Sequence, residues 1–253
     1  MTKPVFVKNC MIGEGIPKIC VPITGKTREQ ILSQAEEAVR AGADMAEWRI
    51  DLWEEDNRLA YVEEVLFALD KVLQDVPLLF TVRSADEGGA LHISPEEQAA
   101  LIERAAASTK VDLADVEYLR SPAVMARLIR HLHARGVMTV ASHHDFEVTG
   151  TREELLDVLK TLDESGADIL KLAVMPQTEE DVERLMDTVS EMTRTYTQRP
   201  VIAMSMGDLG QISRIRGEAY GSSLTFGTAG QASAPGQLPV AVLREKMEAL
   251  HTA

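Results

Sequence analysis

Eight short β-rich apolar runs recur along the sequence, and each is followed by a stretch whose apolar residues return at helical spacing. The runs are Lys18–Ile23, Met45–Asp51, Leu78–Arg83, Asp112–Tyr118, Val137–Asp145, Asp168–Met175, Pro200–Gly207 and Ser222–Gly227. Strands alternating with helices build parallel sheets, because a parallel pair needs a crossover between its members. Eight such units close an α/β (β/α)8 TIM barrel. An open doubly wound sheet is the alternative, but no glycine-rich turn follows the first run to support one. The 253 residues, 45 % of them hydrophobic, suit one barrel, so a single domain over 1–253 is expected.

Local chemistry marks several helix starts. Thr27 precedes Gln30, Ser94 precedes Pro95 and Glu97, Ser121 precedes Pro122, and Thr151 precedes Glu154. Each hydroxyl is expected to accept from the unpaired amides of a first turn. Ile31, Ala35, Ala38 and Val39 share a helical face, as do Met125, Leu128, Ile129 and Leu132, and again Val182, Leu185, Met186 and Val189. These faces are expected to pack on the outside of the sheet. Residues Val5 to Gly15 alternate weakly and carry a Gly-Glu-Gly turn signal, which suggests a β-hairpin closing the bottom of the barrel.

The net charge of −14 is spread along the chain, which disfavours nucleic acid and anionic membrane as partners. No apolar run approaches the roughly 20 residues of a membrane span, and the N-terminus lacks a signal peptide's apolar core. Cys10 and Cys20 make no disulfide framework, so free thiols and a cytoplasmic location are expected.

Barrel chemistry sits at the C-terminal ends of the strands. In Glu47-Trp48-Arg49-Ile50-Asp51, alternation puts the three charged residues on one face and the two apolar ones on the other. The apolar pair must pack under helices, so the charged set faces the interior, either as a self-satisfied cluster or as part of a ligand site. Arg83 ends the third run, Glu87-Gly88-Gly89 follows it, and Asp115 and Glu117 alternate in the fourth. In the sixth run Lys171 stands alone among apolar neighbours. Burial favours the neutral amine, a nucleophile that makes an imine with a carbonyl carbon, and an imine is an electron sink. A lysine snorkelling from the barrel mouth, or paired with an interior acid, is the plain alternative, and a histidine at the neighbouring strand end favours imine chemistry. Only one of His143 and His144 can share a face with Lys171, and alternation alone does not say which. His131 and His133 do not share a helix face, so a metal site there is not expected. His92 and His251 read as surface residues. After the eighth run, residues 227–237 form a Gly- and Ala-rich loop with the length of a lid.

Taken together, these segments resemble the type I 3-dehydroquinate dehydratases of the shikimate pathway. The resemblance spans essentially the whole chain: Gly13-Glu14-Gly15, Glu47 to Asp51, Phe80-Thr81-Val82-Arg83-Ser84, Glu87-Gly88-Gly89, Ser142 to Phe146, Lys171 to Pro176, Met204-Ser205-Met206-Gly207, Ser213-Arg214 and Ala232 to Gln237. It implies a cofactor-free, metal-free enzyme that takes 3-dehydroquinate as its small-molecule substrate and forms a homodimer. It further implies that Lys171 forms the imine and that His144 is the acid–base group, polarised by Glu87. Arg214 would hold the substrate carboxylate. Glu47, Arg49, Arg83, Ser233 and Gln237 would bind ring hydroxyls or line the closed lid, and Met204, Met206 and Phe226 would form an apolar wall. Two positions depart from the pattern: Pro22 stands where a serine is associated with the family, and His143 where asparagine or another polar residue is expected. A class I aldolase-like lyase would share the lysine but usually grips a phosphate. A catalytically silent ligand-binding barrel would have no reason to combine Lys171, His144 and Glu87.

Overall fold

A computed structural model of the protein describes residues 2–54, 58–230 and 234–251. Two antiparallel strands, β1 (Val5–Val7) and β2 (Cys10–Ile12), precede eight parallel ones. These are β3 (Lys18–Ile23), β4 (Met45–Arg49), β5 (Leu78–Thr81), β6 (Leu113–Glu117), β7 (Met138–Asp145), β8 (Ile169–Val174), β9 (Val201–Ser205) and β10 (Leu224–Thr228). From β3 to β9 each strand pairs with the next, and β10 pairs back to β3, with Leu224 beside Lys18. Val201 bridges Ser222 to close the ring between β9 and β10. A short strand, β11 (Leu238–Pro239), extends the ladder beside Gly227 and Thr228. The TIM barrel read from the eight runs is the observed fold.

The crossovers are α1 (Arg28–Arg40), α2 (Arg58–Leu73), α3 (Pro95–Ala107), α4 (Pro122–His133), α5 (Arg152–Glu164) and α6 (Glu179–Glu191). A pair of short helices, α7 (Gln211–Ile215) and α8 (Gly217–Tyr220), follows β9, and α9 (Val240–His251) follows β10. No described helix is long and apolar enough to cross a membrane.

Side-chain alternation sorts the strand residues into two cores. Outward residues such as Trp48, Phe80, Val116, Leu170 and Leu172 pack with Ile31, Leu66, Ile102, Leu128 and Leu185 of the helices. Trp48 meets Phe80 edge-on, with ring centroids 5.6 Å apart. Inward residues at the strand starts, among them Met45, Leu79, Leu113, Ile169 and Leu224, form a second apolar cluster. Val7, Cys10 and Ile12 of the hairpin belong to that cluster, so the hairpin plugs the N-terminal end of the barrel. Both cysteines are buried and free.

Local details differ from the expectations. The hairpin turns at Lys8-Asn9, and Gly13-Glu14-Gly15 instead bends the chain towards β3. Lys8 takes a positive φ of 49°, held by bonds from its ammonium to the carbonyls of Gln74 and Val76 and by an ion pair with Asp112 at 2.9 Å. Thr27, Ser94 and Thr151 cap their helices as read, whereas Ser121 has ψ 88° and makes no side-chain cap bond. Thr178 makes a capping box with Asp181 that was not anticipated. Val39 is 38 % exposed rather than buried with the rest of its face. Most strands also stop short of their apolar runs. After Arg49 the chain enters a 3₁₀ turn, where Asp51 accepts the N–H groups of Arg83 and Ala90 in place of a neighbouring strand.

Candidate active site

The inward positions change character along the barrel axis. Above the apolar floor stand Glu47, Thr81, Asp115, Ser142 and Lys171, all buried. Polar groups in such a place need partners, and they find them in one another. Thr81 Oγ1 donates to Glu47 Oε1 at 2.8 Å, and Ser142 Oγ donates to Asp115 Oδ1 at 2.6 Å. Lys171 Nζ lies 3.3 Å from Asp115 Oδ2, 3.6 Å from Glu47 Oε1 and 4.6 Å from the Phe226 ring centre. The interior acids that the sequence left open as partners of this lysine are Asp115 and Glu47.

Arg83 is the hub of the next layer. Its Nη2 lies 2.9 Å from Asp115 Oδ2, and its Nη1 lies 2.8 Å from Glu117 Oε1 and 3.5 Å from Glu87 Oε2. Burial works against its charge, but Asp115, Glu117 and Glu87 outweigh burial and raise its pKa. Burial likewise opposes the Asp115 carboxylate, yet Arg83, Lys171 and the Ser142 hydroxyl hold its pKa down at about 2. Glu117 is enclosed completely, with Oε1 also taking Ser84 N–H and Oε2 taking Gln98 Nε2. The sequence shows Asp115 and Glu117 only as alternating acids of one strand, without the partners that give them a role. Arg49 is bound by Asp51 through two parallel 2.8 Å hydrogen bonds, which explains the third charge of that strand.

Glu87 ends a 3₁₀ turn after β5, capped by Gly88 at φ 79°. A side chain at Gly88 would collide with the Phe146 ring. His144 Nδ1 lies 2.8 Å from Glu87 Oε2. An ionised carboxylate only accepts, so Nδ1 carries the hydrogen and Nε2 keeps its lone pair. Burial, followed by the charges of Arg83, Lys171 and Arg49, holds the His144 pKa well below its usual 6.5. Burial raises the Glu87 pKa, opposed by a hydrogen bond from His143 and by Arg83.

On the opposite wall, Arg214 of α7 is 1 % exposed, and no carboxylate pairs with it among the described residues. Its Nη1 reaches Met204 Sδ at 3.4 Å, its Nη2 reaches the Pro235 carbonyl at 3.2 Å, and its buried Nε has no partner. Burial lowers its pKa to about 10. A buried cation of this kind is set up to receive an anion.

These groups line one pocket of about 590 Å³, counting its open mouth, which is the size of a small-molecule site. Lys171, His144 and Glu87 all face it, with Glu47, Arg49, Arg83 and Arg214 around them. Met204, Met206 and Phe226 supply apolar wall, Gln237 reaches in from beyond β10, and Pro22 faces it from β3. Ser233 lies outside the described residues, as does the middle of the loop read as a lid. The loop's far end is tied down where Gly207 N–H donates to the Pro235 carbonyl, and a side chain at Gly236 would strike the Gly207 carbonyl. Among the described residues no cluster of His, Cys, Asp and Glu is arranged to hold a metal ion. His131 and His133 pair separately, with Glu103 and Asp168.

Residues 19–253 match the family model for type I 3-dehydroquinase. The chain is 44 % identical over 250 residues to a 3-dehydroquinate dehydratase of Klebsiella pneumoniae, covering 99 % of this chain and all of that one. A crystal structure of the type I 3-dehydroquinate dehydratase of Clostridium difficile with covalently modified comenic acid superposes with a TM-score of 0.95 at 43 % identity, over 100 % of this chain and 99 % of that one. The enzyme of Geobacillus kaustophilus superposes equally well, with a TM-score of 0.95 at 36 % identity over 99 % and 97 % of the two chains. Sequence and fold agree over the full barrel, and the chain belongs to the type I 3-dehydroquinase family of hydro-lyases.

Proposed function

We propose that this chain converts 3-dehydroquinate to 3-dehydroshikimate by syn elimination through an imine on Lys171, with His144 as acid and base and Glu87 as its orienting partner. The carrying observation is one pocket lined by buried Lys171, an imidazole held to Glu87 at 2.8 Å and the Arg214 guanidinium, which has no carboxylate partner among the described residues. After Lys171 gives up a proton, Nζ attacks the C3 ketone and water leaves, forming the imine. The imine acidifies the C2 hydrogen, which His144 Nε2 removes, leaving an enamine. The same histidine returns a proton to the C1 hydroxyl, which departs as water while the C1–C2 double bond forms. Hydrolysis of the imine then frees the product and the lysine. Every step uses side chains of this chain, so the proposal needs no metal, nucleotide or redox cofactor.

Arg214 takes the substrate carboxylate in this reading. Glu47, Arg49, Ser233 and Gln237 take ring hydroxyls, while Met204, Met206 and Phe226 exclude water from the ring. Arg83 has most of its guanidinium committed to Asp115 and Glu117, so its main part is to fix the charges beneath the substrate. Family membership also supports a single-domain, cytoplasmic homodimer of the shikimate pathway. Light scattering at twice the chain mass is the expected result, and a monomer's mass would remove the dimer.

The test is conjugated enone absorbance, with intact mass after borohydride to read the adduct, for 3-dehydroquinate with the parent protein and with His144→Ala. The parent should turn over, and the variant should form the adduct yet stall before release. A His144→Ala protein that cannot form the adduct would show that His144 had been given the wrong role.

A further inference from the structure

The Glu87 carboxylate is held by two neighbouring imidazoles, and only one of them belongs to the pocket. His143 and His144 follow each other on β7, so alternation sends their side chains to opposite faces. His144 lines the pocket with Lys171, and His143 does not. Both nevertheless reach Glu87: His144 Nδ1 lies 2.8 Å from Oε2, and His143 Nδ1 lies 3.4 Å from Oε1. The two contacts are possible because the Glu87 turn packs against the end of β7. Each of its carboxylate oxygens meets one of the two imidazoles.

The two oxygens are not equally supported. Oε2 is shared by His144 and, at 3.5 Å, by Arg83 Nη1, whereas Oε1 has His143 as its partner among the described residues. A turn about the last torsion moves both oxygens of a carboxylate, so a donor on the second oxygen adds to the resistance that the first already supplies.

We propose that His143 is a positioning residue, whose Nδ1–H holds Oε1 of Glu87 so that Oε2 stays aimed at His144 and Nε2 of His144 stays aimed at the substrate. This rests on the imine reading above. His143 touches no reacting atom and acts through Glu87.

The groups facing this trio are Arg83 from the end of β5, Asp115 and Glu117 from β6, Lys171 from β8 and Arg49 from β4. Burial raises the Glu87 pKa, and the His143 hydrogen bond stands ahead of Arg83 among the influences that oppose it. Removing that bond leaves Glu87 protonated up to a higher pH. A protonated Glu87 is a poorer acceptor for His144, so the acid limb of kcat moves up.

Two substitutions separate the donor from the shape. His143→Asn keeps an N–H at the same bond position as Nδ1, and His143→Leu puts a methyl group there. In His143→Leu, kcat should fall about tenfold, the size of one hydrogen bond to a charged group. KM should stay within about twofold because His143 does not line the pocket. The acid limb of kcat should shift upward, and His143→Asn should recover most of the rate. Should His143→Leu fail to fold, His143→Ala removes the donor with less bulk and is read the same way. Parental kcat in the donor-free variant, equal losses in the donor-free and Asn variants, or a rise in KM alone would each overturn the proposal. Failure of the underlying reading looks different: the parent protein itself would then trap no substrate on Lys171 under borohydride and release no conjugated product.

Discussion

His144 Nδ1 stands 2.8 Å from Glu87 Oε2, and neither side chain is more than 8 % exposed. The carboxylate fixes which ring nitrogen carries the hydrogen and leaves the other facing the pocket. In Glu87→Gln the amide can present either an acceptor or a donor, so part of the population holds the wrong tautomer. We expect kcat to fall roughly 10–100-fold with little change in KM, less than the 10²–10⁴ that a general acid–base group contributes. Steady-state kinetics checks this, and an unchanged kcat would remove Glu87 from the mechanism.

The buried Arg214 guanidinium is expected to cost the protein stability when no anion is bound. Burial holds its pKa at about 10, and no carboxylate offsets the buried charge among the described residues. Arg214→Met keeps the volume and removes the charge. It is expected to stabilise the ligand-free protein by about 1–3 kcal/mol, at roughly 2–4 °C of Tm per kcal/mol, while raising KM for a carboxylate substrate. Thermal melts and kinetics on the same variant test both halves. A lower Tm with unchanged KM would mean that Arg214 serves packing alone.

The acid limb of kcat/KM, so far as His144 sets it, should lie below the usual 6.5 of a histidine, because burial and then Arg83, Lys171 and Arg49 disfavour the imidazolium. The group must be neutral to act as a base, so activity persists as pH falls from 7 towards 6. A limb centred at or above pH 6.5 would contradict this.

Asp115 makes a separate pH prediction. Its native pKa of about 2 lies below the ordinary 3.8, so its contribution to stability is present above 3.8 and is lost as pH falls through 2. The Tm difference between the parent and Asp115→Asn should therefore shrink over that window. A difference that stayed flat down to pH 2 would mean that Arg83 and Lys171 do not stabilise the carboxylate.

Much of this was legible in the sequence because strand and helix periods are strong local signals. The alternation through Glu47, Trp48 and Arg49 separated interior from exterior correctly, since Trp48 is buried under helices and Glu47 and Arg49 face the pocket. The partners of Arg83 were not legible. Asp115 and Glu117 lie over thirty residues away in sequence, and only the pairing of β5 with β6 brings them to the guanidinium that Glu87 meets from four residues along the chain. The hairpin turn was misplaced for a related reason, because Lys8 holds its positive φ through carbonyls of the chain after α2. His143 was seen as a departure from the family pattern, but its reach to Glu87 depends on where the turn after β5 packs.

The most direct test of the imine mechanism is intact mass after incubation with 3-dehydroquinate and borohydride, followed by peptide mapping. Borohydride reduces an imine to a stable secondary amine. A substrate-sized adduct on Lys171, absent without substrate and absent in a Lys171→Ala variant that also lacks turnover, is the expected result. Turnover by the parent with no adduct on Lys171, or near-normal activity in Lys171→Ala, would contradict it.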